Sequence, residues 1–182
     1  MNSDLDIRTI LERSQTIAVV GASDDSTKAA CTIPALLVAR GYHVLPVNPF
    51  RTTVLGIPSV PSLRDINEHV DIVNVFRPAS EARALAEQAA AVGARTLWLQ
   101  LGINSDEAEA ISRSVGMEYI EDLCIGASIE LLGITKHQYV RLQSDGWKEI
   151  PGTPQPAFVR RHDTDQTNRS SSTTKGKAPE FI

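Results

Sequence analysis

The sequence predicts an α/β domain: a doubly wound, five-stranded, mainly parallel sheet with helices on both faces. Three observations carry this. Short β-branched apolar runs alternate with helical patterns five times, at intervals of about 25 residues. The runs are apolar at consecutive positions, as strands covered on both faces are. Glycine or proline punctuates most of the boundaries.

Leu5, Ile7, Ile10 and Leu11 fall at helical spacing with Arg8, Glu12 and Arg13 between them. They predict an amphipathic helix over residues 4–13, with Ser3 as its cap. Residues 16–20, Thr-Ile-Ala-Val-Val, are the first strand, broken at Gly21. Proline is tolerated in the first turn of a helix and disfavoured deeper. Pro34 therefore sets the firm part of the next helix to start near Thr32 or Ile33, with Gly41 as its stop, after a segment from Gly21 to Cys31 that is a long loop or partly helical. The second strand lies within residues 42–49, and Pro46, which removes a ladder donor, is expected to stop it. Residues 50–63 contain Gly56, Pro58 and Pro61 and read as loop, with a single turn at 63–66.

Residues 70–76 are the third strand, ended by Arg77-Pro78. An Ala-rich helix over 80–92 puts Leu85, Ala86 and Ala89 on one face, with Ser80 as cap and Gly93 as stop. The fourth strand is 96–101. A helix over 106–115 turns Ala108, Ile111 and Val115 inward, the fifth strand is 117–120, and a last helix over 124–132 ends at Gly133.

Residues 1–135 thus form the folded domain. Residues 136–182 form a C-terminal extension expected to be largely disordered, because its Pro- and Ser/Thr-rich composition cannot bury a core. Trp147 and Ile150 are the residues that would pin its nearer half. Charge follows the same division: 10 Lys+Arg against 17 Asp+Glu up to residue 135, and 8 against 5 beyond it. An acidic body that binds an anion has to concentrate positive charge locally.

Composition excludes several classes. At 42% hydrophobic and 22% charged residues the chain reads as an ordinary globular protein, and no apolar run is long enough to cross a bilayer. The polar, acidic N-terminus is not expected to be a secretory signal. Cys31 and Cys124 make neither a disulfide framework nor a metal cluster, and imply a reducing, cytoplasmic setting. A net charge of −4 speaks against nucleic acid as a partner.

In parallel sheets a ligand sits outside the carboxyl ends of the strands, where the strand order reverses. The candidate segments are Gly21-Ala22-Ser23, Val47-Asn48-Pro49, Phe76-Arg77-Pro78, Gln100-Leu101-Gly102 and Glu121-Asp122. Small residues after the first strand bring backbone N–H groups close to a ligand, most often a phosphate. The spacing is neither G-x-G-x-x-G nor a Walker loop, and Asn48 stands where a dinucleotide site has an acidic residue for a ribose. Lys28 and Arg51 are the candidate phosphate-binding charges. No catalytic residue is assigned: His43, His69, His137 and His162 neighbour no patterned Ser or Cys nucleophile. The adjacent carboxylates Asp24-Asp25 and Glu121-Asp122 read as solvated loop residues, with no metal site.

These segments, in this order and spacing, resemble the small stand-alone CoA-binding proteins. Those are Rossmann-like domains similar to the CoA-binding domain of succinyl-CoA synthetase α subunits and of ADP-forming acyl-CoA synthetases. The likeness rests on residues 17–23, Lys28, 41–49, Gly56, 61–63, 70–77 and 98–102. It implies coenzyme A or an acyl-CoA as ligand, with the Gly21-Ala22-Ser23 amides and the Ser23 hydroxyl on phosphate oxygens. Val47-Asn48-Pro49 and Phe76-Arg77-Pro78 would flank the nucleotide, with Phe76 against an adenine face and Arg77 stacked or paired. Ser26-Thr27 stands where similar proteins usually carry a Pro before the Lys. Asp122-Leu123-Cys124 continues into Ile125-Gly126 in place of a charged stretch. Cys124 is a candidate for a mixed disulfide with the CoA thiol.

The phosphohistidine loop and ATP-grasp partner of the synthetases have no counterpart here, so the resemblance implies a binding module without a reaction. Two other readings stay open. One is a degenerate or partner-dependent relative of acyl-CoA synthetases or of NAD(P)-binding enzymes. The other is a regulatory interaction module whose basic extension meets a protein partner, or a homo-oligomer.

Overall fold

The computed structural model describes residues 4–136 and the strand backbones Tyr139–Leu142 and Gly146–Glu149. The expectations for Ser3, the Trp147 side chain, Ile150 and residues 151–182 lie outside the described residues. The chain divides into two units, Met1–Gln138 and Tyr139–Ile182.

The first unit runs α1 (Asp4–Arg13), β1 (Thr16–Val20), α2 (Ala29–Ala39), β2 (His43–Val47), β3 (Thr53–Val54), β4 (Ile57–Pro58), a 3₁₀ turn (Leu63–Asp65), β5 (Ile72–Val75), α3 (Ala79–Ala91), β6 (Thr96–Leu99), α4 (Asp106–Ser114), β7 (Glu118–Ile120) and α5 (Ile125–Leu132). Five strands make one sheet in the order β2-β1-β5-β6-β7, and every pair is parallel. The order reverses between β1 and β5, so the loops after these two strands diverge and leave a crevice between them.

Alternate residues of each strand feed opposite layers. Ile17 and Val19 of β1, with Ile72, Trp98 and Ile120, pack under α1, α2 and α5. Ala18 and Val20, with Val73, Val75, Leu97 and Leu99, pack under α3 and α4. The expected doubly wound, Rossmann-like fold is therefore observed. The inward face of α3 is Ala82, Leu85, Ala86 and Ala89, small enough to bring the helix close to the sheet.

Pro34 behaves differently from expectation, while β2 stops at Val47, one residue past Pro46 and close to where it is expected to stop. The helix α2 starts at Ala29, not near Thr32, and carries Pro34 in its interior. The proline has no N–H for the Ala30 carbonyl one turn back. The Ser23 main-chain N–H takes that carbonyl instead, at 3.0 Å, so the preceding loop repairs the helix. The strand β2 runs through Pro46 to Val47. It is an edge strand, and the Pro46 carbonyl faces away from β1, accepting from Val60 N–H at 3.1 Å and Ser59 Oγ at 3.1 Å. A donor missing on that side costs the ladder nothing.

Three other expectations change. Residues 50–63 are not all loop, because β3 and β4 form a small antiparallel hairpin whose turn, Leu55-Gly56, has φ of 55° and 72°. Ser80 does not cap α3: Pro78 is its N-cap and makes no side-chain cap bond. Val115 is the C-cap of α4 and is 56% exposed rather than inward. In the second unit, β8 (Tyr139–Leu142) and β9 (Gly146–Glu149) pair antiparallel in a stretch where the sequence reading placed no element.

At the amino edge of the sheet, the side chain of Asp71 is 8% exposed and joins α1's exit to β5. Its Oδ2 accepts from the N–H groups of Gln15 (2.8 Å) and Thr16 (3.0 Å), and its Oδ1 lies 3.0 Å from His69 Nε2. Burial pushes this carboxyl up, but those donors outweigh it and hold it below the usual range.

Candidate functional site

The loops after β1, β2 and β5 enclose a cleft of about 480 Å³ at the carboxyl edge, where the strand order reverses. Gly21, Ala22, Ser23 and Lys28 line it from the first loop, Val47, Asn48 and Pro49 from the second, and Phe76 and Arg77 from the third. Arg51 and Pro78 are not among the lining residues: both are exposed on segments that leave the cleft. A second concavity, of about 520 Å³, lies where α3 and α4 end and β6 and β7 begin. It is walled by Arg13, Arg95 and Glu118, and Arg13 pairs with Glu118. The strand-end loops point to the former.

Gly21 has φ +85°, and a Cβ there would lie 3.0 Å from Arg77 Cδ and 3.4 Å from the Phe76 carbonyl carbon. The positive φ favours glycine here, and a Cβ would crowd the Arg77 side chain. The backbone donors of the first loop are unequally used. Gly21 N–H goes to Val47 O (3.0 Å) and Ser23 N–H to Ala30 O (3.0 Å). Among the described residues that leaves Ala22 N–H as the one of the three without a carbonyl. Ser23 Oγ accepts from Asp25 N–H at 3.1 Å and keeps its own proton to donate.

The loop is held from both sides. Asn48 Nδ2 donates to Ala22 O (2.8 Å), while its Oδ1 accepts from Phe50 N–H (2.8 Å). Asp24 Oδ1 accepts from Leu55 N–H (2.8 Å), which moors the β3–β4 hairpin on the same loop. Asp25 accepts from both the hydroxyl (2.6 Å) and the N–H (3.1 Å) of Thr27 and meets Lys28 Nζ at 3.1 Å. Those hydrogen bonds, the Thr27 hydroxyl first, hold its carboxyl down at about 2.

Each cation of the cleft has an internal partner. Lys28 pairs with Asp25. Arg77 grips Glu81 with two bonds, Nε–Oε2 at 3.0 Å and Nη2–Oε1 at 2.7 Å. A guanidinium has five N–H donors, so three remain for a further anion. The helix α2 opens beside them without an acidic residue in its first turn or a side-chain cap, and Lys28 and Ala30 at its start line the cleft.

Several lining residues were not anticipated: Phe50, Ser62, Leu63, Glu81, Leu85 and Gln88 among them. Phe50 follows the Asn-Pro turn, and Glu81 stands one helical turn after Arg77, an i,i+4 spacing open to reading in the sequence. The strand ends Gln100-Leu101-Gly102 and Glu121-Asp122 do not line the cleft. Gln100 Nε2 donates to Asn74 Oδ1 (2.8 Å), Glu121 accepts from Tyr119 Oη (2.6 Å), and Asp122 accepts from Gly102 N–H (2.6 Å). Cys124 is also outside the cleft: it caps α5, its Sγ accepting from Ala127 N–H at 3.5 Å.

The uncharacterized protein YneT of Bacillus subtilis (strain 168) is 37% identical over 123 residues, 68% of this chain and 91% of that protein. A solved structure of a hypothetical protein from Pyrococcus horikoshii OT3 superposes with a TM-score of 0.70 at 34% identity, covering 72% of this chain and 92% of that one. The dinucleotide forming acetyl-coenzyme A synthetase 1 of Ca. Korarchaeum cryptofilum gives a TM-score of 0.54 at 24% identity over 63% of this chain and 27% of that one, a likeness of fold. The family model for the CoA binding domain matches residues 15–130, from the approach to β1 through α5, and the chain belongs to that family.

Proposed function

We propose that this protein binds coenzyme A, or an acyl-CoA, in the cleft between the β1, β2 and β5 loops, and carries no reaction of its own. The observation that supports it best is convergence: Gly21, Asn48 and Arg77 come from three separate strand ends and line one cleft in a CoA-binding family domain. The donor set suits the ligand. Ala22 N–H, the Ser23 hydroxyl, the open start of α2, Lys28 and the remaining Arg77 donors offer hydrogen bonds and charge to a pyrophosphate. Pro49, Pro61 and Phe76, exposed or half-buried on the lining, offer apolar surface to the pantetheine arm. Arg51, exposed beyond Pro49, is the residue for a phosphate outside the cleft proper. The single glycine at Gly21 and the internal use of Asn48 speak against a dinucleotide such as NAD.

The test is thermal denaturation of the full chain with CoA, acetyl-CoA, NAD, NADP and ATP. A ligand bound only by the native state raises Tm, by the equivalent of about 2.7 kcal/mol at a hundred times its Kd. CoA or acetyl-CoA should raise Tm in wild type and less in Lys28→Ala. A shift with NAD or NADP and none with CoA would replace this reading.

A further inference from the structure

Two aromatic rings line the cleft, and they differ in exposure. Phe76 is half-buried and packs against the apolar layer beneath α2. Phe50 is 87% exposed, more than any other large apolar side chain among the described residues. Its main chain is nonetheless fixed. Pro49 restricts the backbone before it, and Asn48 Oδ1 holds its N–H at 2.8 Å. The other end of the same Asn48 amide holds Ala22 O at 2.8 Å. One side chain thus sets the distance between the phosphate-facing loop and the segment carrying the exposed ring.

We propose that Phe50 is the platform on which the purine of the bound nucleotide stacks, the role first assigned to Phe76. The inference rests on the coenzyme A reading and adds a base-recognising residue to it. A phenyl ring has no hydrogen-bonding group, so it reads the flat π-face of a base and not its edge pattern. Phosphate donors inside the cleft and an anchored aromatic ring at its rim describe a ligand with a phosphate group and a heteroaromatic base. The pantetheine end takes no part in this contact.

Four probes separate the outcomes in the full chain: CoA, its fluorescent 1,N6-etheno analogue, 4′-phosphopantetheine, which lacks the base, and ADP, which lacks the pantetheine arm. Phe50→Ala should weaken CoA about tenfold, the scale of one base–aromatic stack, and leave 4′-phosphopantetheine unchanged. Phe50→Trp should keep CoA affinity. Binding should quench the etheno fluorescence in wild type and not in Phe50→Ala. Equal losses for CoA and 4′-phosphopantetheine, or no loss for CoA, would overturn the platform. If wild type ignores CoA but binds ADP in a Phe50-dependent way, the coenzyme reading falls and the platform stands. Binding of neither removes both.

Discussion

The main-chain N–H of Ser23 donates to the Ala30 carbonyl at 3.0 Å, the acceptor that Pro34 leaves without its helical donor. The helix defect and the loop conformation are therefore one feature. Pro34→Ala supplies a competing N–H to that carbonyl. The helix should keep its place while the Ser23 loop loosens, with CoA affinity falling about threefold to tenfold. Titration calorimetry together with hydrogen exchange at Ser23 checks this, since exchange there should accelerate.

Gly21 lies against the Arg77 side chain, where a Cβ would crowd it. Gly21→Ala places a Cβ 3.0 Å from Arg77 Cδ and forces an L side chain to φ +85°. The strain should cost about 1–2 kcal/mol of stability. Displacement of Arg77 should cost at least tenfold in CoA affinity. Urea denaturation and calorimetry on the same variant separate the two effects.

The sign of the Glu81 effect is informative. Its carboxylate neutralises Arg77 at the wall of a site meant for phosphates. Glu81→Gln should raise CoA affinity about threefold at low salt, within the range for an exposed pair, and steepen the salt dependence. A fall in affinity would mean that Glu81 acts chiefly by orienting the guanidinium.

Lys136 gives a pH signature. Burial lowers its ammonium to about 8, although Glu12 and Asp71 pull the other way; its Nζ donates to Glu12 O and lies 5.2 Å above the Tyr42 ring. Between that value and the ordinary 10.5 the unfolded chain holds more protons at this site, so stability rises with pH. The rise should amount to about 1 kcal/mol from pH 8 to about 9.5, after allowance for solvent screening. Above that, Tyr42 and Tyr119, both raised chiefly by burial, reverse the trend because they ionise first in the unfolded chain. Chemical denaturation across this range should show the rise in wild type and not in Lys136→Met.

Much of this was legible in the residues. Consecutive apolar runs and glycine stops give the five strands, because a strand covered on both faces leaves no alternation to misread. The segments after β1, β2 and β5 were legible as candidates through the topological rule alone. Their shared cleft depends on strand order, and β2-β1-β5 does not follow from local pattern. The start of α2 lies ahead of where Pro34 alone sets it, because the cost of Pro34 is met by a residue eleven positions earlier, Ser23. The β3–β4 hairpin was missed because its turn uses Leu55, a residue that rarely takes positive φ, in a stretch of prolines. Phe50 reads as a loop aromatic until its exposure and its place on the cleft are known.

Calorimetric titration of the full chain with CoA, in wild type and in the double variant Lys28→Ala, Arg77→Ala, decides whether the strand-end cleft holds the coenzyme. One CoA per chain in wild type, weakened at least tenfold in the double variant with Tm nearly unchanged, is the predicted result. Undiminished CoA binding in the double variant, or no heat of binding in wild type, would contradict it.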